Sequence, residues 1–290
     1  MNKKYLGVLS ILLASVMWAI EPILAKLSYE NADFLQTSAI RAIFATLTAF
    51  IYIVITKKAN FKIKKQQLSP VIYIAIVGTL FADLIYFFAL KQVPVVNAVI
   101  IGHMQPIFII IIAFVFLKTD KLTMFDYLGI SLMMISGILV TTNTLDHLIQ
   151  YKFGTIGDLF VLSATIAWAT TAIVMRKYLK NMNTGVITFY RFLFASLFFL
   201  TYLIATSNVG IVNIYQIMIG IVVGIGTIFY YEGLKRIKAA QVSGLELSTP
   251  FFAALLAFFI LRETVSIMQI IGILLLFFGI YCLSKREDKI

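Results

Sequence analysis

The sequence predicts an all-α polytopic membrane protein with ten transmembrane helices in two inverted five-helix repeats. Three observations carry that expectation. First, 61% of the 290 residues are hydrophobic, only 13% are charged, and the mean hydropathy is +0.98. A soluble surface needs a charged cover that this composition cannot supply, whereas lipid needs none. Second, the apolar residues gather into ten runs, each close to the roughly 17 to 25 residues that carry a helix across the hydrocarbon core. Third, the chain resembles itself: Trp18, Lys26 and Arg41 return as Trp168, Arg176 and Arg191 at an offset of 150, and Tyr86, Lys91, Pro106 and Lys118 return as Tyr230, Lys235, Pro250 and Arg262 at an offset of 144.

The first run, 6 to 27, follows Lys3 and Lys4 like a leader peptide. It is too long for one, contains Glu21 and lacks a small-residue cleavage site, so it is retained as a helix. Pro22 disturbs it by removing a backbone donor. The second run, 34 to 56, sets Thr37, Arg41, Ala45 and Thr48 along one small, polar face suited to helix contact. The third, 71 to 90, aligns Thr79, Asp83 and Tyr86; the fourth, 95 to 117, holds His103 and Pro106; the fifth is 123 to 141. A linker at 142 to 156 leads to 157 to 178 with Trp168, 185 to 205 with Arg191, and 214 to 234, where Gly220, Gly224 and Thr227 form a small-residue stripe for close packing or a hinge. The ninth run, 239 to 260, aligns Ser243, Glu246 and Thr249 ahead of Pro250, and the tenth is 267 to 284.

Loop charges set the orientation. Of 24 Lys and Arg residues, 18 fall in the set of segments that includes both termini and 4 in the alternate set, with Arg41 and Arg191 inside spans. The positive-inside rule then puts both termini in the cytoplasm, with the chain multi-pass in the cytoplasmic membrane and the linker external. The net charge of +11 is accounted for by this topology and by contact with anionic lipid. Short basic loops do not make the continuous groove that nucleic acid requires, so no nucleic-acid partner is expected. One cysteine, Cys282, and two distant histidines, His103 and His147, exclude a disulfide framework and a catalytic metal centre. No cofactor is implied, and the oligomeric state is left open.

Five crossings per half is an odd number, so the second half enters the bilayer from the opposite side. Inverted repeats of this kind are a basis for alternating access around a midplane site. The stretch from Trp18 to Lys26 followed by Arg41, and the stretch from Pro250 to Glu263 running on to Ile271-Gly272-Ile273 and Gly279, resemble the EamA domains of the drug/metabolite transporter superfamily. The resemblance covers nearly the whole chain as two tandem domains, residues 1 to 141 and 157 to 290. It implies a ten-helix carrier of small metabolites, often an exporter of amino acids or related compounds. The chain departs from the pattern at Lys118-Thr119-Asp120, where a Leu-Gly-Glu-like segment is usual, and at Glu21.

Ionisable groups inside a membrane mark candidate functional sites, since each costs roughly 2.5 to 3.5 kcal/mol at a helix centre. Glu21, Arg41, Asp83 and His103 lie six to eight residues from the external ends of their runs, about 10 Å deep at the helical rise. Arg191 and Glu246 lie at a similar depth from the cytoplasmic side. Arg41 and Arg191 are read as structural partners of Glu21, Asp83 or Glu246. Glu232 is read as an interfacial partner of Lys235 and Arg236. Glu21, Asp83 and Glu246 are candidates for binding a substrate ammonium group and for exchanging a proton. His103 has two open roles, relaying protons or satisfying a carbonyl beside Pro106. Trp18, Tyr86, Trp168 and Tyr230 either line a pocket for stacking and cation contact or pack as ordinary core.

No phosphate-binding loop is present, so ATP-driven transport by this chain is not expected. The expected function is secondary active transport of a small-molecule metabolite, with export of amino acids or similar compounds taken from the resemblance and proton coupling open. A passive channel is the alternative. A membrane-embedded enzyme ranks lower, because His103 with Asp83 and Glu21 is the only cluster that could serve it.

Overall fold

A computed structural model describes residues 3–56, 61–112, 124–142, 144–150, 154–206, 210–237, 242, 245–246 and 248–284. Ser243 and the Lys118-Thr119-Asp120 segment lie outside these residues. Among them every regular element is helical. In chain order these are α1 (Lys3–Ser28), α2 (Phe34–Thr56), α3 (Lys65–Ala89), α4 (Val95–Gly102), α5 (Gln105–Ile112), α6 (Met124–Thr142), the short α7 (Leu145–Ile149), α8 (Ile156–Leu179), α9 (Thr184–Ala205), α10 (Ile214–Arg236), α11 (Ser248–Leu261) and α12 (Ile267–Ser284). Among the described residues six helices, α1, α2, α3, α8, α9 and α10, are long and apolar enough to cross a membrane, and Val95–Ile109, Tyr127–Thr142, Ser248–Leu261 and Ile267–Cys282 are shorter apolar helical stretches. The outer surface carries large apolar side chains such as Ile55, Phe198, Ile204, Phe259 and Phe277, all exposed. A soluble protein does not present so continuous an apolar belt, whereas lipid solvates it.

Helix starts follow from local chemistry. The Asp33 carboxylate accepts from Leu35 N at the head of α2, and Asn183 accepts from Val186 N at the head of α9; the two caps are 150 residues apart. Thr155 and Asp158 cap α8 reciprocally, satisfying two amides that the first turn leaves free. The run read as a single helix from 95 to 117 is broken at His103–Met104, ahead of Pro106. Proline has no N–H to give and its ring collides with the preceding turn, so α4 ends and α5 begins afresh.

Inter-helix packing follows a paired plan. α1 packs on α10 and α3 on α8, while α2 packs on both α9 and α10, and α6 on α12. The contacts are close because the facing residues are small. Ala39, Ala42, Ala45 and Ala49 of α2 are fully buried. A Cβ added at Gly220 of α10 would stand 2.7 Å from the Arg41 carbonyl, and one at Gly224 would stand 2.9 Å from Thr48 Cβ. The small face of α2 and the glycine stripe of α10 therefore form a single interface, in which dispersion gained by near approach stands in for the hydrophobic effect that lipid does not supply.

In α3 the backbone widens to π-type turns over Ile74–Asp83. Successive turns there bring residues about five apart into line. Gly78, Thr79 and Asp83 consequently face one neighbour, the Arg191 guanidinium.

Candidate functional site

Side chains from α1, α2, α3, α8, α9 and α10 form one network around Asp83. Arg41 of α2 donates from Nε to Glu21 Oε1 at 2.8 Å and from Nη1 to Asp83 Oδ2 at 3.0 Å. Arg191 of α9 donates from Nη2 to Asp83 Oδ2 at 3.2 Å, from Nε to Thr79 Oγ1 at 2.9 Å and from Nη1 to the Tyr231 hydroxyl at 3.2 Å. The Trp168 indole N–H of α8 completes the shell at 2.7 Å from Asp83 Oδ1. Glu21, Arg41 and Asp83 are buried. Two carboxylates and two guanidiniums make a neutral set, which is how charge persists away from water. Phe192 lies between the guanidiniums, its ring 5.6 Å from Arg41 Cζ and 5.1 Å from Arg191 Cζ. The reading by depth put Arg191 and Asp83 at opposite levels. Their contact joins those levels, because both residues lie within a few turns of mid-span and the arginine stem bridges the difference.

Beside this network is a cavity of about 140 Å³. Its wall includes Trp18, Glu21, Asp83, Tyr86, His103, Trp168, Tyr230 and Glu246, together with both arginines. A space of this order holds a benzene-sized guest when it is apolar. The aromatic residues stand as two pairs: Trp18 with Tyr230, ring centroids 4.7 Å apart and planes tilted by 56°, and Trp168 with Tyr86, 5.1 Å apart and tilted by 55°. Under the offsets of 150 and 144 each pair maps onto the other. The acids do not map in this way. Glu21 and Asp83 correspond to Thr171 and Thr227, and Glu246 corresponds to Gly102; these three counterparts border the same cavity as the acids.

His103 Nδ1 lies 2.7 Å from the Val99 carbonyl. A carbonyl only accepts, so a hydrogen belongs on Nδ1. Glu246 makes no ion pair or hydrogen bond with any described residue. Glu232 lies away from the cavity wall, paired with Arg236 one turn on and accepting from Thr184 Oγ1 at 2.6 Å. Lys235 instead donates to the Met182 carbonyl. At the opposite ends of α1 and α11, Glu263 accepts from Lys26 Nζ and from Val95 N, each at 2.9 Å, just after Arg262 in the left-handed backbone region at φ 59°.

Sequence reasoning missed Tyr231, Phe192 and Thr171, while Thr79 was placed on the face of Asp83 and Thr227 in a packing stripe rather than at the cavity. The repeat itself signals two of the missed residues: Thr171 occupies the position of Glu21, and Tyr231 that of Phe87, which lies 4.7 Å from Arg41 Cζ. Phe192 carries no such signal, since a phenylalanine in an apolar run reads as filler.

The chain matches the model of the EamA-like transporter family twice, over residues 5–142 and 155–285. It is 28% identical over 222 residues to an uncharacterized transporter of Synechocystis, an alignment covering 71% of this chain and 62% of that relative. An uncharacterized transporter of Methanothermobacter thermautotrophicus is 24% identical over 96% of this chain and 85% of its own length, and the uncharacterized transporter YyaM of Bacillus subtilis is 25% identical over 77% and 76%. A solved crystal structure shares the fold with a TM-score of 0.70 at 15% identity, covering 98% of this chain and 97% of that one. With six membrane-length helices, a lipid-facing apolar belt and family matches spanning both halves, the chain belongs to the EamA-like transporters of the drug/metabolite transporter superfamily and is a membrane transporter rather than an enzyme.

Proposed function

We propose that this protein is a secondary carrier in the cytoplasmic membrane, built from two inverted five-helix halves that open a shared cavity to one side at a time. The observation that carries this reading is the pair of equivalent aromatic contacts, Trp18 with Tyr230 and Trp168 with Tyr86, each joining one half to the other across the cavity. The packing plan supports it: α1 with α10 and α8 with α3 are the same contact made twice under the repeat. A seam built from matched contacts can rock between two packings of similar energy, which alternating access demands. Both termini lie in the cytoplasm. The cargo is an amino acid or similar small metabolite, and export follows from the resemblance of the two domains to EamA carriers. Glu21, Asp83 and Glu246 are the candidate groups for exchanging a proton with the transport cycle.

Counterflow decides the matter. Purified protein in liposomes, preloaded with a panel of unlabelled amino acids and amines, should accumulate the labelled form of a transported solute transiently and saturably, and a pH gradient should change the rate. Flux that rises linearly with concentration and shows no counterflow identifies a channel instead. Transport by Glu21→Gln, Asp83→Asn and Glu246→Gln equal to the parent in every case removes the carboxylates from the mechanism.

A further inference from the structure

Among the described residues the charges around the cavity do not balance. Three carboxylates, Glu21, Asp83 and Glu246, border it against two guanidiniums. Both guanidiniums are already engaged: Arg41 by Glu21 and Asp83, Arg191 by Asp83, Thr79 and Tyr231. Both first-half acids are answered in the same contacts. His103 is bound through Nδ1 to the Val99 carbonyl and makes no ion pair with Glu246. Glu246 is thus the cavity carboxylate left without a described partner, and its repeat counterpart is Gly102, which carries no charge.

The two aromatic pairs differ for the same reason. Trp168 spends its N–H on Asp83, and that pair is tied into the neutral network. The Trp18–Tyr230 pair borders the cavity together with Glu246. Ring faces beside a carboxylate make a site for an organic cation: the rings attract it through their quadrupoles and shield it from water, and the acid supplies the countercharge. An anion meets no uncommitted positive group at this cavity among the described residues.

Resting on the carrier reading above, we infer that the cargo is recognised by an ammonium group held at Glu246 beside the Trp18–Tyr230 pair. Solutes that carry a carboxylate without an amine are refused. Other polar wall residues, among them Tyr86, His103, Gln105, Thr171 and Thr227, meet the rest of the molecule as hydrogen-bonding partners. Amino acids qualify through their amine, and so do simple amines.

The two tryptophans of the chain both border the cavity, so intrinsic fluorescence reports on the site directly. Full-length protein in detergent is titrated with phenethylammonium chloride and, separately, with sodium phenylacetate, two probes of one size and opposite charge. The expected result is a saturable fluorescence change with phenethylammonium and none with phenylacetate. Glu246→Gln should weaken the response by about tenfold or more, the loss of one charge-assisted bond, whereas Glu246→Asp and Glu232→Gln should retain it. Equal responses to the two probes, no response to phenethylammonium, or an unaltered titration in a folded Glu246→Gln variant overturns the assignment. Should Glu246→Gln fail to fold, the contrast between the probes on the parent protein still decides. None of these outcomes touches the carrier reading, which stands or falls on counterflow.

Discussion

Asp83 accepts from two guanidiniums and an indole at once, while Glu246 accepts from no described residue. Two carboxylates on one cavity wall should therefore respond in opposite ways to neutralisation. Asp83→Asn leaves the buried Arg41 and the half-buried Arg191 with Glu21 as their one remaining acid among the described residues, and breaking buried pairs in this manner costs about 3 to 5 kcal/mol. Thermal unfolding in detergent should show a large drop in melting temperature for Asp83→Asn. Glu246→Gln removes a charge that no described residue answers, so its melting temperature should be unchanged or higher. A drop in both variants of equal size contradicts the neutral-network description. These residues were legible in the sequence because charge inside an apolar run is conspicuous. Their connectivity was not. Nothing in the spacing of Arg191 says that it reaches Asp83 rather than Glu246, since that depends on the wide turns of α3 and on the angle at which α9 crosses it.

At the scale of elements, the α2 to α10 interface depends on the lack of side chains at Gly220 and Gly224. Gly224→Ala puts a methyl 2.9 Å from Thr48 Cβ and 3.2 Å from the Ala45 carbonyl. Backbone does not yield as a flexible side chain does, so the helices must part, and overpacking of this kind costs about 1 to 3 kcal/mol. Gly210→Ala, where nothing lies within 4 Å, should leave stability unchanged. Combining Gly224→Ala with Thr48→Ala should recover part of the loss, and a double-mutant cycle on unfolding midpoints measures the coupling. The stripe was visible from the spacing of small residues on each helix. The partner was not, because two small faces in one chain do not say whether they meet each other or a second copy. The break at His103–Met104 was also missed, although Pro106 was seen: an apolar run reports hydropathy, which a turn satisfied by its own neighbours does not interrupt.

For the whole molecule, the testable property is handedness across the bilayer. The basic residues flank one set of loops, so a maleimide that cannot cross membranes should label Leu145→Cys from outside intact cells, in a background where Cys282 is replaced by Ser. A cysteine at Lys64, in the basic loop before α3, should react after the membrane is breached and not before. Reversed labelling inverts the topology, and labelling of both sites from outside rules out the proposed number of crossings. The fold class was the most legible feature, since composition alone decides between lipid and water. The repeat led to the expectation of a midplane site between two halves, and the residues expected to line it, Trp18, Glu21, Asp83, Tyr86, His103, Trp168, Tyr230 and Glu246, border one cavity.

The difference between the two halves reaches past the site. Where one half offers Glu21 and Asp83 the other offers Thr171 and Thr227, and both arginines turn to the same acid. If the ancestral duplication left two mirror-related resting shapes, this chain has tilted the scale between them: one orientation keeps Arg41 and Arg191 on a shared anchor, and its mirror image has hydroxyls where that anchor should be. Such a machine idles facing one compartment, and its half-saturation concentration measured from the two faces of the membrane should differ, even for a solute present equally on both.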